Sequence, residues 1–100
     1  MKEVILSADG DSVVYLVPDV VANNLCEYCV DFCDNWMKTS PYAKKYMMKG
    51  VYCFNEIDFI DYLNTYLFPQ QKSILIKNLG WTNLGYNIPV EYQNHPYFNF

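Results

Sequence analysis

The first seventeen residues contain two short apolar runs separated by an acidic turn. Val4-Ile5-Leu6 and residues 13–17 flank Asp9-Gly10. An Asp-Gly pair between two such runs predicts a β-hairpin, because glycine tolerates a positive φ. Since both runs are almost continuously apolar, we expect the hairpin to be covered on one face and partly on the other.

A helical period follows the hairpin. Asp19 comes directly after a proline and is predicted to be the N-cap of a helix over residues 20–38. Apolar positions recur there with a period of 3.6 and form one stripe, which predicts an amphipathic helix. The opposite face is polar and includes Glu27, Asp31 and Asp34. The residues of the apolar stripe are Val21, Ala22, Leu25, Cys26, Cys29, Phe32, Cys33, Trp36 and Met37.

The segment after this helix contains several breaks. Residues 39–41, Thr-Ser-Pro, are predicted to end the helix. Residues 42–49 fit either one or two helical turns or a long loop, and the pattern leaves both open. The apolar residues 51–54 then predict a strand.

A second amphipathic helix is predicted from Asn55 to about Phe68, where Pro69 ends it. Asn55 is a good N-cap, and Asp58 three residues later suits a capping box. The inward positions of this helix are Ile57, Ile60, Leu63 and Leu67. Residues 73–77 predict a further strand, so a right-handed strand–helix–strand crossover is possible here.

Together these segments predict an α+β fold in a single domain over residues 1–100. We expect an N-terminal β-hairpin and two amphipathic helices packed on one face of a small sheet of three to five strands. An alternation at Tyr86, Ile88, Val90 and Tyr92 predicts an edge strand, since Pro89 lacks an amide donor. The extended C-terminal tail keeps three aromatic residues and is expected to dock on the body.

Charge and composition narrow the function. The chain has no arginine, one histidine, eleven acids and a net charge of −4. Such a chain should repel nucleic acids and anionic lipid, so we expect neither direct nucleic-acid binding nor membrane binding. His95 has no evident partner, and the paired carboxylates lie on solvated helix faces that do not raise a pKa. These features predict a protein that is not an enzyme.

Charge is also distributed unevenly. Residues 37–50 contain Lys38, Lys44, Lys45 and Lys49 and no acid, whereas residues 19–34 and 56–61 contain acids and no lysine. The molecule is therefore predicted to be electrically two-faced. Two solvated helix faces and one lysine-rich loop would give the same pattern.

The cysteines allow three interpretations. Cys26, Cys29 and Cys33 share one helical face, and Cys53 follows. Cys26 and Cys33 would lie about 10 Å apart along a helix, which suits zinc poorly, and buried cysteine packs as a small apolar residue. We favour core packing over metal binding or redox chemistry and expect no cofactor. Reduced thiols, no signal peptide and no membrane-spanning run favour a cytoplasmic protein.

The function favoured by these features is a small acidic module that binds a basic surface of another protein, plausibly as an inhibitor or immunity-type factor. Ten tyrosines exceed what a core of this size hides, and tyrosine is enriched at interfaces. Two alternatives remain, namely a thiol- or metal-dependent protein using the cysteine cluster and a structural homo-oligomer, of which a homodimer is one form. The candidate partner-binding residues are Glu27, Tyr28, Asp31, Asp34, Asp58, Asp61 and Tyr62.

Overall fold

The N-terminal hairpin forms the centre of the main sheet. In this computed structural model, which describes residues 1–81 and 88–100, β1 (Lys2–Ser7) pairs antiparallel with β2 (Asp11–Val17). In the turn between them Asp9 itself takes the positive φ, 56°. Short polar aspartate tolerates this conformation better than most residues do. The predicted hairpin is confirmed by the antiparallel pairing of β1 and β2.

Two further strands flank the hairpin: β5 (Ile74–Trp81) runs antiparallel to β2, and β6 (Tyr97–Asn99) runs parallel to β1. They complete a mixed sheet with the order β5-β2-β1-β6. The C-terminal tail is held by main-chain bonds on both sides of β6, from Ile5 N to Pro96 O and from Phe100 N to Ser7 O, both 2.8 Å. The predicted α+β class is confirmed.

The predicted strand–helix–strand crossover is wrong. β4 (Val51–Tyr52) pairs with β3 (Met47–Met48) in a separate two-stranded sheet, and β5 joins the main sheet instead. The cause is local, because Lys49 and Gly50 both adopt positive φ, 51° and 81°, in the tight turn between the two short strands. Two consecutive positive φ angles favour hairpin pairing of the flanking residues.

The first helical segment is less regular than predicted. It comprises α1 (Asp19–Asn23), α2 (Leu25–Asp31), a π-helical stretch (Phe32–Trp36) and α3 (Met37–Thr39). The break between α1 and α2 lies at Asn24, whose side-chain amide donates to the Val20 carbonyl at 3.0 Å and competes with the helical main-chain bonds.

The predicted N-cap of this segment is also wrong. Pro18 occupies the cap position, and Asp19 is the first helical residue. The Asp19 carboxylate instead lies 2.7 Å from the N-terminal ammonium. This ion pair and the adjacent Lys2 side chain account for the lowered pKa of Asp19, with the hydrogen bond from the ammonium as the main cause.

The second helical segment comprises α4 (Glu56–Tyr62) and a second π-helical stretch (Leu63–Leu67). Its predicted capping box is confirmed, because Asn55 Oδ1 accepts from Asp58 N at 3.2 Å and Asp58 Oδ2 accepts from Asn55 N at 2.9 Å. Ile57, which was predicted to face inward, is 52% exposed. The buried positions include Phe59, and a residue two positions away points to the opposite side of a helix.

Both helical segments pack on one face of the sheet around a cluster of aromatic rings. Phe32 is fully buried at its centre, with ring centroids between 5.0 and 6.2 Å from those of its neighbours. These neighbours are Trp36, Phe54, Phe59, Tyr62 and Phe100. The cluster therefore joins the first helical segment, the second helical segment and the C-terminal residue.

The remaining segments are short. Residues 42–46, for which a helix or a loop was expected, belong to a 3₁₀ helix (Pro41–Tyr46), and Ser40 Oγ accepts from Tyr42 N at its start. Residues 90–92 form another 3₁₀ helix (Val90–Tyr92) and not the expected edge strand, whose first residue, Tyr86, lies outside the described residues. Among the described residues, no helix has the length and apolar character that crossing a bilayer requires.

Candidate protein-binding surface

Three acids form the exposed face of the first helical segment. Glu27 and Asp31 lie on α2 and Asp34 in the π-helical stretch, and all three side chains are exposed. Spacings of four and three residues place them along one side of the helix. They line a shallow open cleft of about 530 Å³ together with Cys26, Val30 and Asn35, and Val30 is 43% exposed. We call this the acidic cleft.

The acids of the acidic cleft form no ion pair within the described residues. Within residues 1–81 and 88–100, the ion pairs join the N-terminal ammonium to Asp19 and His95 to Glu3, so neither reaches the cleft. Asp31 Oδ1 accepts a hydrogen bond from the Asn35 amide at 3.0 Å, which orients the carboxylate without cancelling its charge. Like charges three or four residues apart repel each other, so a cationic partner would relieve an existing cost.

Tyr28 lies beside the acidic cleft and is only partly buried. Its ring packs against Phe68, with centroids 6.2 Å apart, and it lines a smaller cleft of about 340 Å³ with Asn24, Glu27 and Asp31. An aromatic ring next to carboxylates can contact the alkyl stem or the charged head of a lysine or arginine. Four of the seven predicted residues are thus adjacent: Glu27, Tyr28, Asp31 and Asp34.

The other three predicted residues lie elsewhere. Tyr62 is only 4% exposed and packs between the rings of Phe32 and Trp36, at 5.0 and 4.9 Å, so it contributes no surface of its own. Burial, with the charge of Asp31 and the neighbouring Tyr28 as smaller causes, raises the pKa of Tyr62. Tyr62 therefore lies behind the acidic cleft and supports it.

Asp58 and Asp61 belong to the second helical segment and do not line the acidic cleft. The Asp58 carboxylate accepts a hydrogen bond from Asn55 N and thereby serves the capping box. Asp61 is exposed, and its charge acts on Lys45 and Tyr15: the pKa of Lys45 is raised chiefly by its hydrogen bond with Tyr46 and further by Asp61. Burial is the main cause of the raised pKa of Tyr15, and Asp61 adds to it.

The structure exposes two apolar regions that the sequence did not predict. One is the β3–β4 hairpin, where Met47, Met48 and Val51 are exposed. The other is β5, where Ile74, Leu75 and Ile76 are exposed at one edge of the sheet. Apolar runs in a sequence resemble buried strands, so only the Lys49-Gly50 turn signal could have indicated an exposed hairpin.

The cysteines differ strongly in environment. Cys26 and Cys53 are exposed, Cys33 is half-buried and Cys29 is buried, and all four are free. Burial raises the pKa of Cys33 to about 11 and raises that of Cys29 further. A thiol held protonated is a poor nucleophile and a poor metal ligand. No group of three or more potential metal-binding side chains is found within residues 1–81 and 88–100.

Comparisons with known proteins place the chain in no family. No family model matches it, and neither a curated protein nor a solved structure shows significant similarity. The case for a function therefore rests on the surfaces of the chain itself.

Proposed function

We propose that this is a non-enzymatic protein-binding domain whose acidic cleft engages a basic surface of another protein. An inhibitor or immunity-type factor acts in this way, by covering a functional surface of its target. The observation that carries the proposal is the acidic cleft itself, which exposed Glu27, Asp31 and Asp34 line together with apolar Val30 and where these acids form no ion pair within the described residues.

The charge of the whole chain supports a basic protein as the partner. With a net charge of −4 and no arginine, the domain attracts cationic surfaces at long range and repels nucleic acid and anionic lipid. At close range Val30 offers apolar contact and Tyr28 an aromatic ring. Lysine or arginine side chains, which carry an apolar stem and a charged head, suit this combination.

The raised pKa values of Cys29 and Cys33 disfavour a thiol or metal-binding function for these two cysteines, because both uses need thiolates. The four free cysteines suit a reducing compartment, so we place the interaction in the cytoplasm. Replacing Cys29 by alanine tests the thiol alternative: lost stability without lost partner binding supports core packing, and lost binding in a fully folded variant supports a thiol function.

The proposal is tested by comparing two charge reversals of the same kind. Glu27→Lys changes the acidic cleft, and Glu91→Lys makes the same change in the 3₁₀ helix of the C-terminal segment, where the side chain is equally exposed. Each variant and the unaltered domain serve as bait in lysate of the cells that express the gene, with quantitative mass spectrometry of the captured proteins. Matched urea melts check that all three baits are folded.

The expected result is a basic protein retained by the unaltered domain and by Glu91→Lys but lost, by about tenfold or more, with Glu27→Lys. High salt should mimic the Glu27→Lys loss, because Coulomb attraction between exposed groups is screened. Equal retention by all three baits would contradict the proposal and move the interface away from the acidic cleft.

A further inference from the structure

The β3–β4 hairpin projects an apolar tip into solvent. Met48 is 61% and Val51 is 62% exposed, and Met47 beside them is also exposed. The hairpin is nevertheless anchored, because Cys53 N donates to the Tyr46 carbonyl at 2.8 Å and the Tyr46 ring packs against Trp36. An anchored apolar tip of this kind is more typical of a contact surface than of a loose loop.

The tip carries Lys49 in its turn, and the segment that leads to it is rich in lysine. Residues 35–55 contain Lys38, Lys44, Lys45 and Lys49 and no acid, and these lysines are exposed. None of them takes part in an ion pair within the described residues. The lysine-rich hairpin is thus a basic surface with an apolar centre, which is the chemistry that the acidic cleft is proposed to bind.

The two surfaces are complementary in both charge and apolar character. The acidic cleft is lined by carboxylates and by exposed Val30, while the hairpin has Lys49 in its turn, Lys44 and Lys45 shortly before it in the sequence, and an apolar tip of methionine and valine. Unbranched methionine side chains adapt to shallow, irregular clefts. Since the lysines and the cleft acids form no ion pair within one molecule, their complementarity can be satisfied between two molecules.

We propose that the β3–β4 hairpin of one copy of this chain docks in the acidic cleft of a second copy. This contact is head-to-tail, so a bound pair still presents one free cleft on one copy and one free hairpin on the other, and association can continue into short chains of molecules. The inference rests on the proposed function, because it names a second copy as one partner of the same acidic cleft.

Strand β5 is the competing surface for self-association. Its exposed apolar residues and its position at the sheet edge would allow two copies to pair their strands. However, Lys77 lies in the middle of β5, and the pairing with β2 shifts register at two places along the strand. A charged residue and bulges are the features by which edge strands avoid such pairing, so the hairpin is favoured.

The test uses two variants, each lacking one surface. Glu27→Lys/Asp34→Lys removes the acidic cleft and keeps the hairpin, whereas Met48→Ser/Lys49→Ser removes the hairpin and keeps the cleft. Sedimentation velocity over a wide concentration range, at low and high salt, measures the mass of each variant alone and of an equal mixture. Glu91→Lys is the control for a change of charge, and urea melts control for folding.

The expected result is that the unaltered chain grows beyond a dimer with concentration at low salt. Each double variant alone should associate at least about tenfold more weakly. Their mixture should form dimers and nothing larger, because only one intact cleft and one intact hairpin can meet. An interface between identical surfaces cannot give this recovery on mixing.

A monomer at all concentrations and at low salt would overturn the inference. Association that neither double variant weakens would also overturn it. If Ile76→Lys then abolished that association, the interface would lie at β5. Failure here is distinct from failure of the proposed function. The domain could be monomeric and still capture a basic protein that Glu27→Lys fails to capture. In that case the acidic cleft binds another protein but not a second copy of this chain.

Discussion

The two helical segments, residues 19–39 and 56–67, share a sequence pattern but use their acids differently. In the second segment Asp58 serves the capping box, and Asp61 acts on Tyr15 and Lys45. In the first segment the carboxylates of Glu27 and Asp34 form no hydrogen bond or ion pair within the described residues. The acids of the second segment thus interact with other groups of the fold, whereas the carboxylates of Glu27 and Asp34 face solvent.

This difference suggests that the acids of the second segment contribute to stability and that those of the first segment are available for binding. Acids that cap a helix stabilise the folded state, whereas a row of unneutralised carboxylates destabilises it slightly. Both segments nevertheless depend on the same aromatic cluster, since Phe32 of the first contacts Phe59 and Tyr62 of the second. The comparison therefore predicts one shared core and two different surfaces.

The largest effect is expected where the two segments meet. Phe32→Ala should lower the free energy of unfolding by about 3–5 kcal/mol, because it removes a fully buried ring and leaves a cavity in the cluster. Urea unfolding followed by far-UV circular dichroism and by tryptophan fluorescence measures the loss, and both probes should give one midpoint.

Tyr42→Ala is the matched control for this change. The Tyr42 ring also stacks on an aromatic neighbour, Tyr66 at 5.3 Å, but it is 63% exposed. Tyr42→Ala should lower the free energy of unfolding by about 1 kcal/mol or less. Equal losses for Tyr42→Ala and Phe32→Ala would contradict a core centred on Phe32, and separate midpoints for the two probes would show that the segments unfold independently.

Local signals in the sequence predicted local structure well. Asn55 and Asp58 form the capping box because a cap depends on residues three apart and on little else. The hairpin turn at Asp9-Gly10 is equally local. By contrast, β4 could have paired with β3, which is near in the sequence, or with the more distant β5. The Lys49-Gly50 turn favours pairing with β3.

Helical period likewise predicted which acids are exposed, because Glu27, Asp31 and Asp34 all lie opposite the apolar stripe. It could not predict that Tyr62 is buried, since that depends on aromatic rings from a facing segment. The break at Asn24 was also hidden, because asparagine is an ordinary residue on the polar face until its amide binds a carbonyl one turn back.

A second prediction concerns alkaline pH. Burial raises the pKa of Cys33 to about 11 and also raises the pKa of Tyr15 and Tyr62. The unfolded chain ionises first, at about pH 8.5 for thiols and about 10 for phenols. Stability is therefore complete below about pH 8.5 and falls as pH rises toward the folded pKa values, because the unfolded state then binds fewer protons.

Urea midpoints between pH 7 and pH 11 measure this loss, and two variants divide it between the segments. Cys33→Ala should flatten the lower part of the decline, and Tyr62→Phe should flatten the part above about pH 10. A midpoint that stays constant up to pH 11 would contradict the burial of these groups. A decline that neither variant changes would assign it to other residues.

The smallest effects are expected for the acids of the two helical segments. Asp58→Ala should lower the free energy of unfolding by about 1 kcal/mol, because Asn55 N loses its acceptor and the first turn of α4 loses a negative charge. Asp34→Ala should stay within about 0.5 kcal/mol of the unaltered chain, and alanine's higher helix propensity favours a small gain. Urea melts of both variants at neutral pH and low salt measure the difference.

Comparing the unfolding free energies of these two variants shows whether the acids of the first segment contribute to stability. If Asp34→Ala is as costly as Asp58→Ala, the acidic cleft has a structural role, and its exposure no longer favours a binding surface. If Asp34→Ala leaves stability unchanged or raises it, the fold gains nothing from this carboxylate. A charge that the fold does not need, in a cleft whose acids form no ion pair within the described residues, is then best explained by a cation that another molecule supplies.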